Sequence, residues 1–232
     1  HLNDDLKGVG ESWEISGVEN NESVVANGPD KGLTLTDMVK KYREELVGEA
    51  NYARFGNEFP LLIKFIDAKQ DLSIQVHPTD ELAKKRHNSK GKTEMWYILD
   101  CEPDSSLIYG FQKEISKEEF QKRIEDNTLL EVTRQVNVHK GDVFFIEAGT
   151  LHAIGKGIVI AEIQQNSNTT YRVYDYGRLG SDGKPRALHI DKALDVTSLE
   201  PSLKEPVPQG ILENKEGFSQ LLLRSCEYFT VY

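Results

Sequence analysis

Leu72-Ser73-Ile74-Gln75-Val76-His77-Pro78 is followed by Lys92-Thr93-Glu94 and, further on, by Gly149-Thr150-Leu151-His152. Side chains of an extended strand repeat every two residues. Gln75 and His77 therefore share one face, and Ile74 and Val76 share the other. A polar pair set among apolar neighbours needs partners, because an unpaired buried polar group is costly. The Glu94 carboxylate and the His152 imidazole complete a set of four donors that a metal ion would satisfy. Imidazole and carboxylate oxygen both suit zinc. Read singly, Glu94 could also be a solvent-facing strand residue, His152 a turn residue, and Gln75 with His77 a structural pair.

Working outward, Leu61 to Ile66 and Leu72 to His77 read as strands around a turn at Asp67 to Asp71. Glu94 to Leu99 and Ser106 to Tyr109 follow as strands. From Val132 the pattern is strands and turns: Val132 to Val138, Lys140-Gly141-Asp142, Val143 to Ile146, Gly157 to Ile163 and Thr170 to Tyr174. Glu11 to Val18 and Ser23 to Val25 open the chain in the same manner. Many short strands at regular spacing predict an all-β sandwich or barrel rather than a parallel sheet.

Helical patterns are few. Thr36 to Val47 carries a stripe of Met38, Val39, Tyr42 and Leu46, with Thr36 as N-cap and Gly48 as stop. Ser116 to Asn127 begins with a capping-box pair, Ser116 and Glu119. Thr79 to His87 reads as a short polar helix or loop, and Ile190 to Val196 as a short helix. Trp96, Phe144 and Phe145 belong to the core, while His87, His139 and His189 read as surface or packing residues. The three prolines between Pro201 and Pro208 mark a linker, and Phe218 to Cys226 starts a further strand set.

Composition narrows the class. The chain has 232 residues, 38% of them hydrophobic, which is enough for a large core. A net charge of −10 argues against nucleic acid or an anionic membrane as partner. No apolar run is long enough to span a bilayer, and nothing reads as a signal peptide. Two cysteines, Cys101 and Cys226, point to a reducing cytoplasm rather than a disulfide scaffold. A start at His1 and a stop at Phe229-Thr230-Val231-Tyr232, within a strand-like pattern, give the expectation that the sequence is part of a longer one.

Gly141-Asp142, an apolar strand and then Gly149-x-x-His152 together resemble the second motif of the cupin barrel. Gln75-x-His77 resembles the first, with glutamine in place of its usual first histidine. Glu147-Ala148 stands where that fold commonly has a proline before the glycine turn. Beyond these motifs the chain resembles type I phosphomannose isomerases of the short bacterial form. The likeness runs through Glu11-Ser12-Trp13-Glu14-Ile15, Ser73 to Pro78, Gly91-Lys92-Thr93-Glu94, Gly149 to Ala153 and Glu162 to Tyr176.

The resemblance implies an all-β cupin (jelly-roll) barrel with small helical additions. It assigns residues 1–200 to the catalytic domain and 201–232 to a linker and the start of a second cupin half. It also implies one zinc per chain on Gln75, His77, Glu94 and His152, with Arg172 as the active-site arginine. Ser73 and Lys92 then line a sugar-phosphate pocket, and Glu162 lies near the metal. Two departures accompany it. Other branches have a histidine where this chain has Gly91, and Asn168 occupies the place of an aspartate proposed elsewhere to transfer protons.

Aldose–ketose isomerisation moves a proton between neighbouring carbons through an enediol, which needs a base, a cationic group at the developing oxyanion and a polarised carbonyl. Arg172 suits the oxyanion, and Glu162 and Lys92 are candidates for the base. The run from Arg172 to Arg186 holds Arg172, Arg178, Lys184 and Arg186 against Asp175 and Asp182, a positive cluster fit for an anionic sugar. Arg178 joins Ser73 and Lys92 as a candidate substrate-binding residue, although a solvated loop would also account for Lys184 and Arg186. The expected protein is a cytoplasmic monomer or homodimer acting on a small sugar phosphate. A non-catalytic sugar-binding cupin and a non-haem iron cupin oxygenase, which also uses two histidines and a carboxylate, are the alternatives.

Overall fold

A computed structural model describes residues 8–180 and 183–232. Asp182 of the positive cluster and the His1 start lie outside the described residues. In chain order the strands are β1 (Glu11–Ser16), β2 (Leu61–Ala68), β3 (Ile74–Val76), β4 (Glu94–Cys101), β5 (Ser106–Phe111), β6 (Thr133–Asn137), β7 (Val143–Ile146), β8 (His152–Ala153), β9 (Ile158–Gln165) and β10 (Tyr171–Tyr174). Two five-stranded antiparallel sheets form, in the orders β1-β2-β9-β4-β7 and β10-β3-β8-β5-β6. This is the expected jelly roll. Predicted strands are recovered with shifts of a few residues, except that Ser23 to Val25 is reduced to a single bridge, Val24 to Thr34.

The helices are α1 (Leu35–Tyr42), α2 (Glu44–Val47), α3 (Glu49–Phe55), α4 (Asp80–His87), α5 (Lys117–Glu125) and α6 (Ile190–Val196). The single helix expected over Thr36–Val47 is corrected in two ways. Its cap is Thr34, whose hydroxyl accepts from Asp37 N while the Asp37 carboxylate accepts from Thr34 N. That reciprocal pair satisfies two orphan donors at once, which Thr36 could not do. The helix then stops at Arg43, where φ is 48°, and α2 and α3 continue in new directions. Asp30 accepts from the ammonium of Lys41 and the hydroxyl of Tyr42, which ties the end of α1 to the preceding turn. In α5, Ser116 caps by accepting from Glu119 N, as expected.

Three apolar layers follow from the strand alternation. Between the sheets lie Ile66, Trp96, Ile98, Tyr109, Phe144, Ile146, Ile158 and Ile160. Outside the second sheet, Ile74, Val76, Phe111, Tyr171 and Val173 pack with Phe120 of α5 and Ala193 of α6. Outside the first sheet, Met95, Val143 and Phe145 pack against Phe229.

Residues 201–232 close that outer layer. The stretch read as a linker is pinned by Ser202 N to Phe111 O (3.0 Å) and Val143 N to Pro206 O (3.2 Å). Beyond it come a hairpin of β11 (Leu212–Lys215) and β12 (Phe218–Leu221) and a short pair, β13 (Arg224–Ser225) and β14 (Thr230–Val231). The Arg224 guanidinium sits 3.8 Å from the Phe145 ring centroid, and the Tyr228 hydroxyl donates to Asp80 at 2.8 Å.

The interior changes character along the strands. On β9 the inward residues run Ile158, Ile160, Glu162, Gln164, all buried. The register places Lys64 and Trp96 opposite Glu162, and Glu94 opposite Gln164. One end of the core is thus hydrocarbon and the other is charged.

Because Phe229 is buried under the first sheet, Phe229→Ala should cost about 3 kcal/mol. It should lower one cooperative thermal transition by roughly 10 °C. Calorimetry checks this, and a separate low-temperature transition would show instead that residues 201–232 unfold alone.

Candidate metal centre and active site

Gln75 lies on β3, directly opposite His152 on β8, and His77 follows at the end of the same strand. Glu94 opens β4. The turn that delivers His152 is fixed by Gly149, whose N–H donates to His77 O at 2.9 Å. Gly149 has φ of 89°, and a Cβ there would lie 2.9 Å from Val196 O, so only glycine fits the turn. The structure brings all four expected donors together. His77 Nε2 is 3.3 Å from Glu94 Oε1, His152 Nε2 is 3.9 Å from Glu94 Oε2, and the Gln75 amide is 3.4 Å from His152 Nε2.

Each imidazole is aimed by its far nitrogen. His77 Nδ1 meets Thr169 O at 3.0 Å and His152 Nδ1 meets Thr150 O at 2.8 Å. A carbonyl accepts only, so the proton of each neutral ring sits on Nδ1 and the Nε2 lone pair faces Glu94. Burial, reinforced by the Lys92 ammonium, pushes His77 down to about 3. Burial likewise lowers His152. Burial alone would raise Glu94, but the Lys92 ammonium and then His77 hold it well below the usual carboxylate range.

The result is two imidazole lone pairs converging on an ionised carboxylate. His77 Nε2 and both Glu94 oxygens are fully buried and make no directed hydrogen bond. The close contact of Glu94 Oε1 is an ion pair with Lys92 Nζ at 2.5 Å. Acceptors facing acceptors in a dry site repel unless a cation lies among them. His77, Glu94 and His152 are a metal-binding group by geometry, with ligand atoms within 4.8 Å of one another. The Gln75 amide can supply an oxygen by a half-turn of its carboxamide. The residues fit a divalent metal ion.

Beside this centre lies Glu162. Its Oε2 accepts from Trp96 Nε1 at 2.9 Å, and its Oε1 lies 3.1 Å from Lys64 Nζ and 4.0 Å from Lys92 Nζ. Burial and the neighbouring Glu94 charge raise the Glu162 pKa, against the pull of Lys64 and Lys92. Lys64 was not among the sequence candidates. Its signal is a lysine alternating with Leu62 and Ile66 on the buried face of a strand. Trp96, read simply as core, also donates to Glu162 and stands edge-on to His152, with ring centroids 5.3 Å apart.

Arg172 sits on β10 opposite Gln75, half-buried. Its Nε donates to Ser73 Oγ at 3.3 Å and its Nη1 to Ala187 O at 3.2 Å. Arg178 and Arg186 both pair with the buried Asp175 carboxylate. The histidines outside the centre are packing or surface groups, as expected. His87 bonds the Tyr171 hydroxyl at 2.8 Å, His189 Nδ1 accepts from Arg172 N at 3.2 Å, and His139 is exposed. Gly91 is explained by space, since a Cβ there would lie 2.5 Å from Asp80 N. Asn168 is exposed.

The profile of the phosphomannose isomerase type I catalytic domain matches residues 2–128. The chain belongs to the type I phosphomannose isomerase family. Among its relatives is the mannose-6-phosphate isomerase ManA of Bacillus subtilis, 45% identical over 227 residues, an alignment spanning 96% of this chain and 69% of that protein. The crystal structure of the Bacillus subtilis mannose 6-phosphate isomerase aligns at a TM-score of 0.86 and 39% identity, over 95% of this chain and 68% of that one. A zinc-bound mannose 6-phosphate isomerase shares the fold at a TM-score of 0.61 and 18% identity, over 83% of this chain and 67% of that one.

The tautomers and charges fix a proton count. Two ordinary histidines, with pKa near 6.5, would together release about 1.5 protons on binding a metal at pH 6. His77 and His152 are held below that value and Glu94 is already ionised. Metal uptake by metal-free protein at pH 6 should therefore release fewer protons than that. Calorimetry in buffers of different ionisation enthalpy measures the number directly.

Proposed function

We propose that the protein interconverts mannose 6-phosphate and fructose 6-phosphate, with one zinc ion per chain on Gln75, His77, Glu94 and His152. The observation that carries this reading is the convergence of two Nδ1-anchored imidazoles on the ionised, hydrogen-bond-free carboxylate of Glu94, in a chain of the phosphomannose isomerase family. A bound zinc would polarise the sugar carbonyl as a Lewis acid.

The chain's own residues supply the rest. Glu162 Oε1 makes no directed hydrogen bond, and its raised pKa lets the carboxylate take and return a proton. It is the candidate base that carries hydrogen between the two carbons. Trp96 and Lys64 hold its carboxylate in place, on Oε2 and Oε1 respectively. The Arg172 guanidinium, directed by Ser73 and Ala187, stabilises the negative oxygen of the enediol. Lys92 lies between Glu94 and Glu162 and adds a fixed positive charge, while Ser73 lines the substrate's place and Arg178, read from sequence as a substrate contact, braces it from the Asp175 carboxylate.

Gln75 fills a position that oxygen chemistry would leave open, which disfavours an iron oxygenase. Glu162, Lys92 and Arg172 beside the centre favour turnover over simple sugar binding. No helix among the described residues is long and apolar enough to cross a membrane. Cys101 and Cys226 are free thiols, which suits a reducing cytoplasm, and we take the protein to act as a monomer or homodimer.

A coupled assay for fructose 6-phosphate formed from mannose 6-phosphate tests the reading. Activity should vanish on chelation and return with zinc, and zinc-loaded, folded protein without turnover would refute it. Arg172→Ala should lower kcat by roughly 100-fold with zinc content unchanged. Loss of zinc together with activity would make the arginine structural.

A further inference from the structure

Three guanidinium groups, those of Arg172, Arg178 and Arg186, gather near a single buried carboxylate, Asp175. Their hydrogen bonds differ in kind. Arg178 spends every nitrogen on the protein: Nε on Asp175 O (3.3 Å), Nη2 on Asp175 Oδ1 (2.6 Å) and Nη1 on Asp71 O (2.5 Å). It is a staple between the end of β10 and the turn before Ser73. Arg186 grips Asp175 with Nε on Oδ2 (2.7 Å) and Nη2 on Oδ1 (2.5 Å). Its Nη1 takes no hydrogen bond among the described residues, and its side chain is 42% exposed.

The segment carrying Arg186 is zipped onto Arg172. His189 N donates to Arg172 O at 2.7 Å, and Arg172 Nη1 donates to Ala187 O at 3.2 Å. Arg172 forms no ion pair with a carboxylate among the described residues, and its pKa is lowered first by burial and then by the neighbouring Arg186 charge. Among these described groups, three cations against one anion leave an excess of about two positive charges, the complement of a phosphate monoester at neutral pH. A guanidinium fork suits that group better than a point charge.

We infer that Arg186, oriented by Asp175, contacts the phosphate of the substrate, while Arg172 beside it faces the enediol oxygen and Arg178 supports this site as a staple without touching the ligand. Asp175 is then a positioning residue, since its bidentate pair fixes the plane of the Arg186 fork. The inference rests on the sugar-phosphate reading of the active site. It deepens that reading by naming the group that discriminates a phosphorylated sugar from a neutral one.

The test uses the full chain loaded with zinc and the variants Arg186→Met, Arg186→Lys and Arg178→Met. Arg186→Met should raise KM for mannose 6-phosphate and the inhibition constant of inorganic phosphate together, by about 20-fold or more, with a much smaller change in kcat. Arg186→Lys, which keeps the charge and loses the fork, should fall between Arg186→Met and the parent, and it decides the matter if Arg186→Met does not fold. Arg178→Met should lower thermal stability while moving the phosphate inhibition constant far less than Arg186→Met does.

A folded Arg186→Met with both constants unchanged would overturn the inference, as would the larger effect appearing in Arg178→Met. A shift for inorganic phosphate alone would also overturn it, since it would mark a site for free phosphate and not for substrate. If the parent turns over no sugar phosphate, the broader functional reading fails. Calorimetric titration of parent and Arg186→Met with inorganic phosphate then still decides whether Arg186 belongs to an anion site.

Discussion

Glu94 carries its charge with no exposure to solvent, and most of the active end of the molecule is arranged around that fact. An ionised carboxylate taken out of water is costly unless it is paired. Its protein partner here is the Lys92 ammonium, and the two imidazoles beside it offer lone pairs, not protons. That combination is poorly satisfied by protein atoms alone and well satisfied by a divalent cation. The strain is held in place by parts that are themselves well satisfied: the carbonyls of Thr169 and Thr150 fix the imidazoles, and Gly149 ties its turn to the backbone of His77.

The charges extend outward in alternation. Glu94, Lys92, Glu162, Lys64 and the partly exposed Glu11 form a chain of opposite signs from the dry centre towards the surface. Each buried charge meets one of opposite sign, which keeps Lys64 protonated despite its burial. Along the same strands, Ile158 and Ile160 give way to Glu162 and Gln164. The two sheets thus share one interior that is a hydrophobic core at one end and a reaction vessel at the other.

Much of this was legible in the sequence, and for physical reasons. The two-residue period of Ile74-Gln75-Val76-His77 distinguishes core from site on one strand, and the structure keeps that division. The strand count and turn chemistry sufficed for the all-β class. What sequence could not supply was register. Lys64 is unremarkable in a list of lysines until β2 is laid against β9 and it falls opposite Glu162. Trp96 reads as core because it is core, and only the cross-strand pairing reveals that its N–H holds Glu162. Apolar periodicity persists through Arg43 and predicts one helix after Asp30, while the Thr34–Asp37 cap and the positive φ at Arg43 set the real ends of the first one. Arg178 and Arg186 look alike in sequence, and they separate only when each nitrogen is accounted for.

The central claim is that a metal ion takes its place among His77, Glu94, His152 and Gln75. X-ray absorption at the zinc edge of zinc-loaded protein tests it most directly. The account predicts a first shell with two imidazole nitrogens at about 2.0–2.1 Å and oxygen ligands at about 2.0–2.2 Å, and loss of one imidazole shell in His152→Ala. A zinc shell without two imidazoles, or one unchanged in that variant, would contradict it.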